Sequence, residues 1–139
     1  MPEAAGRAPS EGPIRVLLVD DEEAFTDSLA KVLRRRGLEV AVASSGEESI
    51  AHLTERDCDV VVLDLRMPGL DGLATLNRLK ELRPATQVII LTGHGTVEAG
   101  IEALRLAAFD FMLKPAVTDR LVEVICAAGD ARTEAKDAR

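Results

Sequence analysis

Five short, largely unbroken apolar runs, each followed by a longer stretch with helical periodicity, constrain this chain more than any other feature. The runs are Ile14–Val19, Leu38–Ala43, Val60–Leu63, Val88–Leu91 and Phe109–Leu113. Continuous rather than alternating apolar residues mark strands buried on both faces, as in a parallel sheet covered by helices. Between them lie amphipathic stripes. Phe25, Leu29, Val32 and Leu33 form one, followed by the basic run Arg34–Arg36, read as a solvated helix end, and by Gly37 as a stop. Ser45 with Glu48 three residues on is a capping-box signature for a helix ending near Glu55. Asp71, Thr96 and Thr118 are the expected caps of three more helices, carrying Leu76 and Leu79, then Val97, Ile101, Leu104 and Ala108, then Leu121, Val124, Ile125 and Ala128. Strand alternating with helix five times predicts a doubly wound (βα)5 α/β fold, a parallel five-stranded sheet in a three-layer sandwich. Residues 14–129 form this single domain. Residues 1–13 read as a disordered tail, and 130–139 as a charged tail or the frayed end of the last helix.

Composition narrows the function. Asp and Glu number 24 against 17 Lys and Arg, a formal charge of −7. A protein that neutralises phosphate backbones needs a basic face, so direct contact with nucleic acid by this domain is not expected, nor is an anionic membrane surface. The chain has no Trp or Tyr, so it lacks platforms for stacking bases. Cys58 and Cys126 sit in apolar stretches and read as small buried hydrophobes. With no apolar leader in residues 1–13 and no run long enough to span a bilayer, a cytoplasmic protein is expected.

In a doubly wound sheet, ligands bind outside the carboxyl ends of the strands. Strand one runs into Asp20-Asp21, strand three into Asp64, strand four into Thr92 and strand five into Lys114-Pro115. In the order 2-1-3-4-5, strands one and three are neighbours and their three carboxylates converge, flanked by Thr92 and Lys114. Three crowded carboxylates repel, and a hard divalent cation such as Mg²⁺ relieves them with oxygen ligands. A Mg²⁺ ion beside an ammonium and a hydroxyl is a phosphoryl clamp, and one carboxylate can serve as nucleophile. Taken singly, each residue has a plainer reading. Asp20-Asp21 can be helix N-terminal acids, Asp64 a turn residue, Thr92 a loop hydroxyl and Lys114 a solvated lysine. Their arrival at one edge is what favours a shared site.

LLVDDE (Leu17–Glu22), LDLRMPGLDG (Leu63–Gly72), LTGHG (Leu91–Gly95) and FMLKP (Phe111–Pro115) together resemble the receiver domain of bacterial response regulators, over about Ile14 to Ala128. The resemblance implies a flavodoxin-like sandwich and a phosphorylation-controlled module of two-component signalling, free-standing or part of a longer regulator. By it, Asp64 accepts a phosphoryl group from a sensor histidine kinase or phosphotransfer protein. Asp21 binds Mg²⁺ directly and Asp20 largely through water, and the Arg66 backbone carbonyl adds a ligand. Lys114 holds a phosphate oxygen, and its bond to Pro115 is cis. Thr92 and Phe111 are the switch pair. The output surface, also a dimerisation surface, is the fourth helix, fifth strand and fifth helix, about Thr96 to Gly129. Arg66 and His94 stand where the family tunes the lifetime of the phosphoryl group, whereas His52 and His94 otherwise read as solvent-facing.

Two positions depart from the family pattern. Ala107 stands where Gly usually ends the fourth helix, and Ala116 where Phe usually fills space beneath the fifth. A left-handed conformation at Ala107 would cost about 1 kcal/mol, and less filling at Ala116 would loosen the last helix or leave a groove. Other function classes fit less well. A Mg²⁺-dependent phosphohydrolase with an Asp nucleophile needs a cap over its substrate. A degenerate receiver used only for docking would not need the acids, Thr92 and Lys114. A flavodoxin-type cofactor carrier is disfavoured by the acidic pocket and the shortage of aromatics.

Overall fold

A computed structural model describes residues 12–66, 71–93 and 96–137. The strands are β1 (Arg15–Val19), β2 (Glu39–Ala43), β3 (Val60–Leu63), β4 (Gln87–Thr92) and β5 (Asp110–Leu113). The helices are α1 (Glu23–Arg35), α2 (Gly46–Glu55), α3 (Gly72–Leu82), α4 (Val97–Arg105) and α5 (Thr118–Asp137). All strand pairs are parallel, in the order β2-β1-β3-β4-β5, with Val16 opposite Val60 and Val61 opposite Val88. The doubly wound sandwich expected from the sequence is the fold observed.

The unbroken apolar runs are explained by two cores, one on each face of the sheet. Val16, Leu18, Val60, Val62, Ile89 and Leu91 point to the core shared with α1 and α5. Their neighbours Leu17, Val19, Val61, Leu63, Val88 and Ile90 point to the core shared with α2, α3 and α4. The two edge strands are less buried than the central three. No helix among the described residues is long and apolar enough to cross a membrane.

Local chemistry sets most helix starts. The Ser45 hydroxyl accepts from the Glu48 N–H (3.0 Å), and the Glu48 carboxylate returns to the N–H and hydroxyl of Ser44, one residue earlier than in a standard capping box. Asp71 and Thr96 accept from the N–H groups of Ala74 and Ala99. Thr118 is the first residue inside α5 and not its cap, because the Leu121 N–H reaches back to the Val117 carbonyl. The arginine run is not simply solvated either: Arg34 donates to the Val40 carbonyl and Arg36 pairs with Asp119. At the start of α3, a Cβ on Gly72 would lie 2.3 Å from the Leu65 Cα. The missing side chain lets α3 pack directly against the chain leaving β3.

The last helix departs most from expectation. It passes through Gly129 without breaking and runs to Asp137. Gly129 is there for close approach, since a Cβ would fall 2.8 Å from the Ile14 Cδ1. One turn further on, Arg132 is buried, and its guanidinium bridges Asp57 and Asp59 at the amino end of β3 (Nη1 to Asp59 Oδ1, 3.0 Å). Asp59 is fully buried and also accepts from the Arg15 N–H (2.8 Å). The charged segment is thus tied to the domain through at least Arg132, with Lys136 3.9 Å from Asp57. The reading of residues 1–13 lies outside the described residues up to position 11.

Burial pushes the Asp57 carboxyl up, but the Cys58 N–H and the Arg132 guanidinium outweigh it and hold the group below its ordinary 3.8. A depressed carboxyl stabilises the fold above its unfolded-state value and stops doing so as pH falls through the folded one. Asp57→Asn is therefore expected to be less stable than the parent at neutral pH, with the gap closing below pH 3.8. Urea midpoints across pH 2–7 read this directly.

Ala107 has φ of +71°. The Ala108 N–H bonds the Ala103 carbonyl (3.0 Å), which makes Ala107 the left-handed residue of a Schellman-type stop after α4. The left-handed conformation that the sequence raised as a condition is the one adopted. Ala107→Gly should raise stability by about 0.5 kcal/mol, the left-handed penalty less the extra backbone entropy of glycine. An unchanged urea midpoint would refute this. Ala116 packs against the core under α1 and α5, half-buried. Cys58 is buried, its one S–H is within donating reach of the Arg15 and Val60 carbonyls, and burial pushes its pKa up to about 12, as suits an inert core residue. Cys126 is half-buried beside the same core as Ala116. His52, expected to face solvent, is half-buried and lines a groove with Arg15, Glu39 and Arg56.

Candidate functional site

Four strand ends meet at one edge of the sheet. Asp20 follows β1, Asp64 follows β3, Thr92 closes β4 and Lys114 follows β5. Register holds them there: the Asp20 N–H bonds the Ala43 carbonyl, the Asp64 N–H the Val19 carbonyl, and the Lys114 N–H the Thr92 carbonyl. Thr92 is fully buried, Asp20 and Asp64 are nearly so, and Asp21 is exposed. Oxygens of Asp20, Asp21 and Asp64 lie within 4.8 Å of one another. The structure therefore brings together the residues that the sequence placed at separate strand ends.

The Lys114 ammonium sits among these acids. It lies 2.5 Å from Asp20 Oδ2, 3.4 Å from Asp64 Oδ2 and 3.2 Å from Glu22 Oε1. Burial opposes its charge, but the hydrogen bond to Asp20, the charges of Asp64 and Asp20 and the hydrogen bond to Glu22 prevail and raise its pKa. Burial raises the Asp20 carboxyl, helped by the Asp64 charge and only partly offset by Lys114 and the Glu22 N–H. Among the described residues, two acids held largely out of water beside a third share one ammonium, so the described part of the cluster is short of positive charge. The donors are all hard carboxylate oxygens, two of them fixed by buried backbone. That set fits a divalent cation of the Mg²⁺ type.

The Arg66 N–H donates to Asp64 Oδ1 (3.1 Å), and the Arg66 side chain is exposed. Phe111 is half-buried, pairs with Ile90 across β4 and β5, and faces α4, where a Cβ on Gly100 would be 3.8 Å from the ring. His94 lies outside the described residues. The Lys114-Pro115 bond is cis.

Two contacts were not read from the sequence. Glu22 occupies the N-cap position of α1 but makes no capping bond, and its carboxylate turns to Lys114 instead. Phe25, assigned to the core stripe of α1, lies 4.2 Å from the same ammonium at its ring centroid.

Comparison with known proteins settles the family. The model of the response regulator receiver domain matches residues 16–126. The chain belongs to that family. It is 40% identical over 114 residues to the transcriptional regulatory protein ZraR of Salmonella typhimurium, covering 82% of this chain and 26% of that protein. The chain thus spans about a quarter of the length of such curated relatives. A CheY-like receiver domain protein from Methanospirillum hungatei superposes with a TM-score of 0.85 at 28% identity, covering 88% of this chain and 98% of that one. A response regulator from Burkholderia pseudomallei, solved with a phosphorylated aspartic acid, calcium ion and citrate, superposes with a TM-score of 0.78 at 25% identity, covering 90% and 73%. This receiver domain is accordingly a module of two-component signalling, in a family on which histidine kinases act and which generally binds Mg²⁺.

Proposed function

We propose that this receiver domain takes a phosphoryl group onto Asp64 from a histidine kinase or phosphotransfer protein, with Mg²⁺ held by Asp20, Asp21, Asp64 and the Arg66 carbonyl. The observation that carries the reading is the buried Asp64 carboxylate beside Lys114 and within 4.8 Å of two further acids. When bound, the cation supplies charge neutralisation at the phosphoryl oxygens. The protein's own groups do the rest. An Asp64 oxygen attacks phosphorus while the bond from phosphorus to the donor histidine breaks, and the donor imidazole leaves. Lys114 leaves Asp64 for a phosphoryl oxygen, and the Arg66 N–H keeps the other Asp64 oxygen oriented. The phosphorylated neighbour from Burkholderia pseudomallei supports the assignment to an aspartate and a divalent cation.

The output follows from charge. The new group carries roughly −1.5 to −2 charges and strong acceptor oxygens. The Thr92 hydroxyl moves to bond it, the end of β4 shifts, and Phe111 fills the space released. The face so altered is α4-β5-α5. It exposes Val97, Ile101, Leu104, Leu113 and Val117, with Val97 76% and Val117 71% accessible. An apolar face of that kind suits a downstream partner, an output domain or a second copy of the chain.

Treatment with a small-molecule phosphodonor and Mg²⁺, read by intact mass, tests the proposal. One added phosphoryl group is expected, and none in Asp64→Ala. An adduct that survives Asp64→Ala would overturn the assignment, as would sustained turnover of donor without a stable adduct.

A further inference from the structure

The geometry points to Phe25 as a positioning residue for Lys114, its ring holding the ammonium at the phosphoryl site independently of the acids around it. The inference rests on the phosphoacceptor reading above and concerns a residue which that reading does not use. Lys114 hangs on a flexible four-carbon arm, and fixing such an arm forfeits rotamer entropy. Three carboxylates now order it: Asp20, Glu22 and Asp64. Two of these belong to the candidate cation site, and their oxygens are the ones a bound cation draws on. The third, Glu22, is 67% exposed at its side chain, and an exposed pair of this kind holds weakly. The acids that order the ammonium in the resting protein are therefore the contacts that loading the site weakens.

The Phe25 ring is not subject to that competition. Its attraction for an ammonium comes from the quadrupole of the ring face, which neither a cation nor a phosphoryl group on Asp64 consumes. The centroid stands 4.2 Å from the Lys114 Nζ, well inside the range of a cation–π contact. The ring is also fixed. It packs from the first turn of α1 against the core shared by α1 and α5, and lines a narrow cleft with Asp20, Asp64, Leu18 and Val62. The chain has three aromatic residues in all, and one of them is placed here. Periodicity explains the ring's inward lean but not its contact with a residue that arrives from β5.

Phe25→Leu keeps an apolar side chain and removes the quadrupole, whereas Phe25→Tyr keeps both. Phosphorylation by a small phosphodonor is followed at saturating Mg²⁺ over a range of donor concentrations. Proton NMR follows the Lys114 side-chain methylenes, which a ring face shifts upfield. The expected result is a maximal rate about three- to thirty-fold lower in Phe25→Leu, a half-saturating donor concentration nearly unchanged, and recovery in Phe25→Tyr. The upfield shift should be present in the parent and Phe25→Tyr and absent in Phe25→Leu. A parental rate in Phe25→Leu would overturn the inference, as would unshifted Lys114 methylenes in the parent, which need no variant to observe. A rate loss that Phe25→Tyr does not recover would also overturn it, since packing alone would then be responsible. Failure of the parent itself to take up a phosphoryl group would defeat the receiver reading and this inference with it, and is told apart by the parent's intact mass.

Discussion

Arg132→Met is expected to lower the stability of the domain by about 3–5 kcal/mol, the range seen when one partner of a buried ion pair is removed. Arg132 is 5% exposed, and Asp59 is fully buried. Removing the guanidinium takes away the cation 3.0 Å from Asp59 Oδ1, while the Arg15 N–H at 2.8 Å and Arg15 Nε at 3.8 Å stay in place, and a carboxylate out of water is costly once its close cation is lost. Methionine preserves the apolar stem, so most of the loss is electrostatic. For a chain of this size the melting temperature should fall by roughly 10–20 °C. The double variant Asp59→Asn/Arg132→Met should recover a large part of the loss, because the buried negative charge is removed together with its close cation. If residues 130–137 were a solvated tail, Arg132→Met would change stability by no more than about 0.5 kcal/mol, and calorimetry showing that would refute the clamp.

The same residue shows where sequence reasoning stops. The three central strands were legible because each lies between two apolar layers, so burial leaves a continuous run. β3 spans the four residues, Val60 to Leu63, that the pattern marked. The edges were less so. Leu38 belongs to the turn before β2, its N–H bonded to the Leu33 carbonyl, and is apolar because it fills the core and not because it is strand. Gly129 marks the end of the domain in the sequence, but its role is set by Ile14, far away in the chain. The partners of Arg132 are acids more than seventy residues upstream, and no local pattern announces such a pairing.

The site divides in the same way. Asp20, Asp21, Asp64, Thr92 and Lys114 stood out because polar residues closing apolar strands are conspicuous, and the parallel topology sends all those ends to one edge. Glu22 and Phe25 did not stand out. Each satisfies a plainer local role, helix start and core stripe, and only the arrival of Lys114 from β5 gives either a second one. Ala107 lies between these cases. The resemblance marked it as a glycine position and so raised the question of a left-handed backbone, which the dihedral answers.

Lys114→Met is expected to move two properties in opposite directions. Uptake of a phosphoryl group should fall by about a hundredfold or more, the usual effect of removing one fixed cationic or hydrogen-bonding partner from a developing anion. Affinity for Mg²⁺ should rise about tenfold. The ammonium lies 2.5 Å from Asp20 and 3.4 Å from Asp64, on two of the three acids that form the candidate cation site, and so competes for them. At an effective dielectric of about 20, a pair of unit charges at 4 Å is worth about 4 kcal/mol before desolvation, and a third of that is about tenfold in affinity. Without Mg²⁺ the variant should be less stable than the parent, because Asp20 and Asp64 are buried beside each other with no cation between them. Added Mg²⁺ should then raise the melting temperature of the variant more than that of the parent, by linkage between binding and folding. Isothermal titration and thermal scans in Mg²⁺ check both arms. Were Mg²⁺ to bind the variant more weakly than the parent, Lys114 would have to help order the acids and not compete for them, and the charge shortage inferred for this cluster would be wrong.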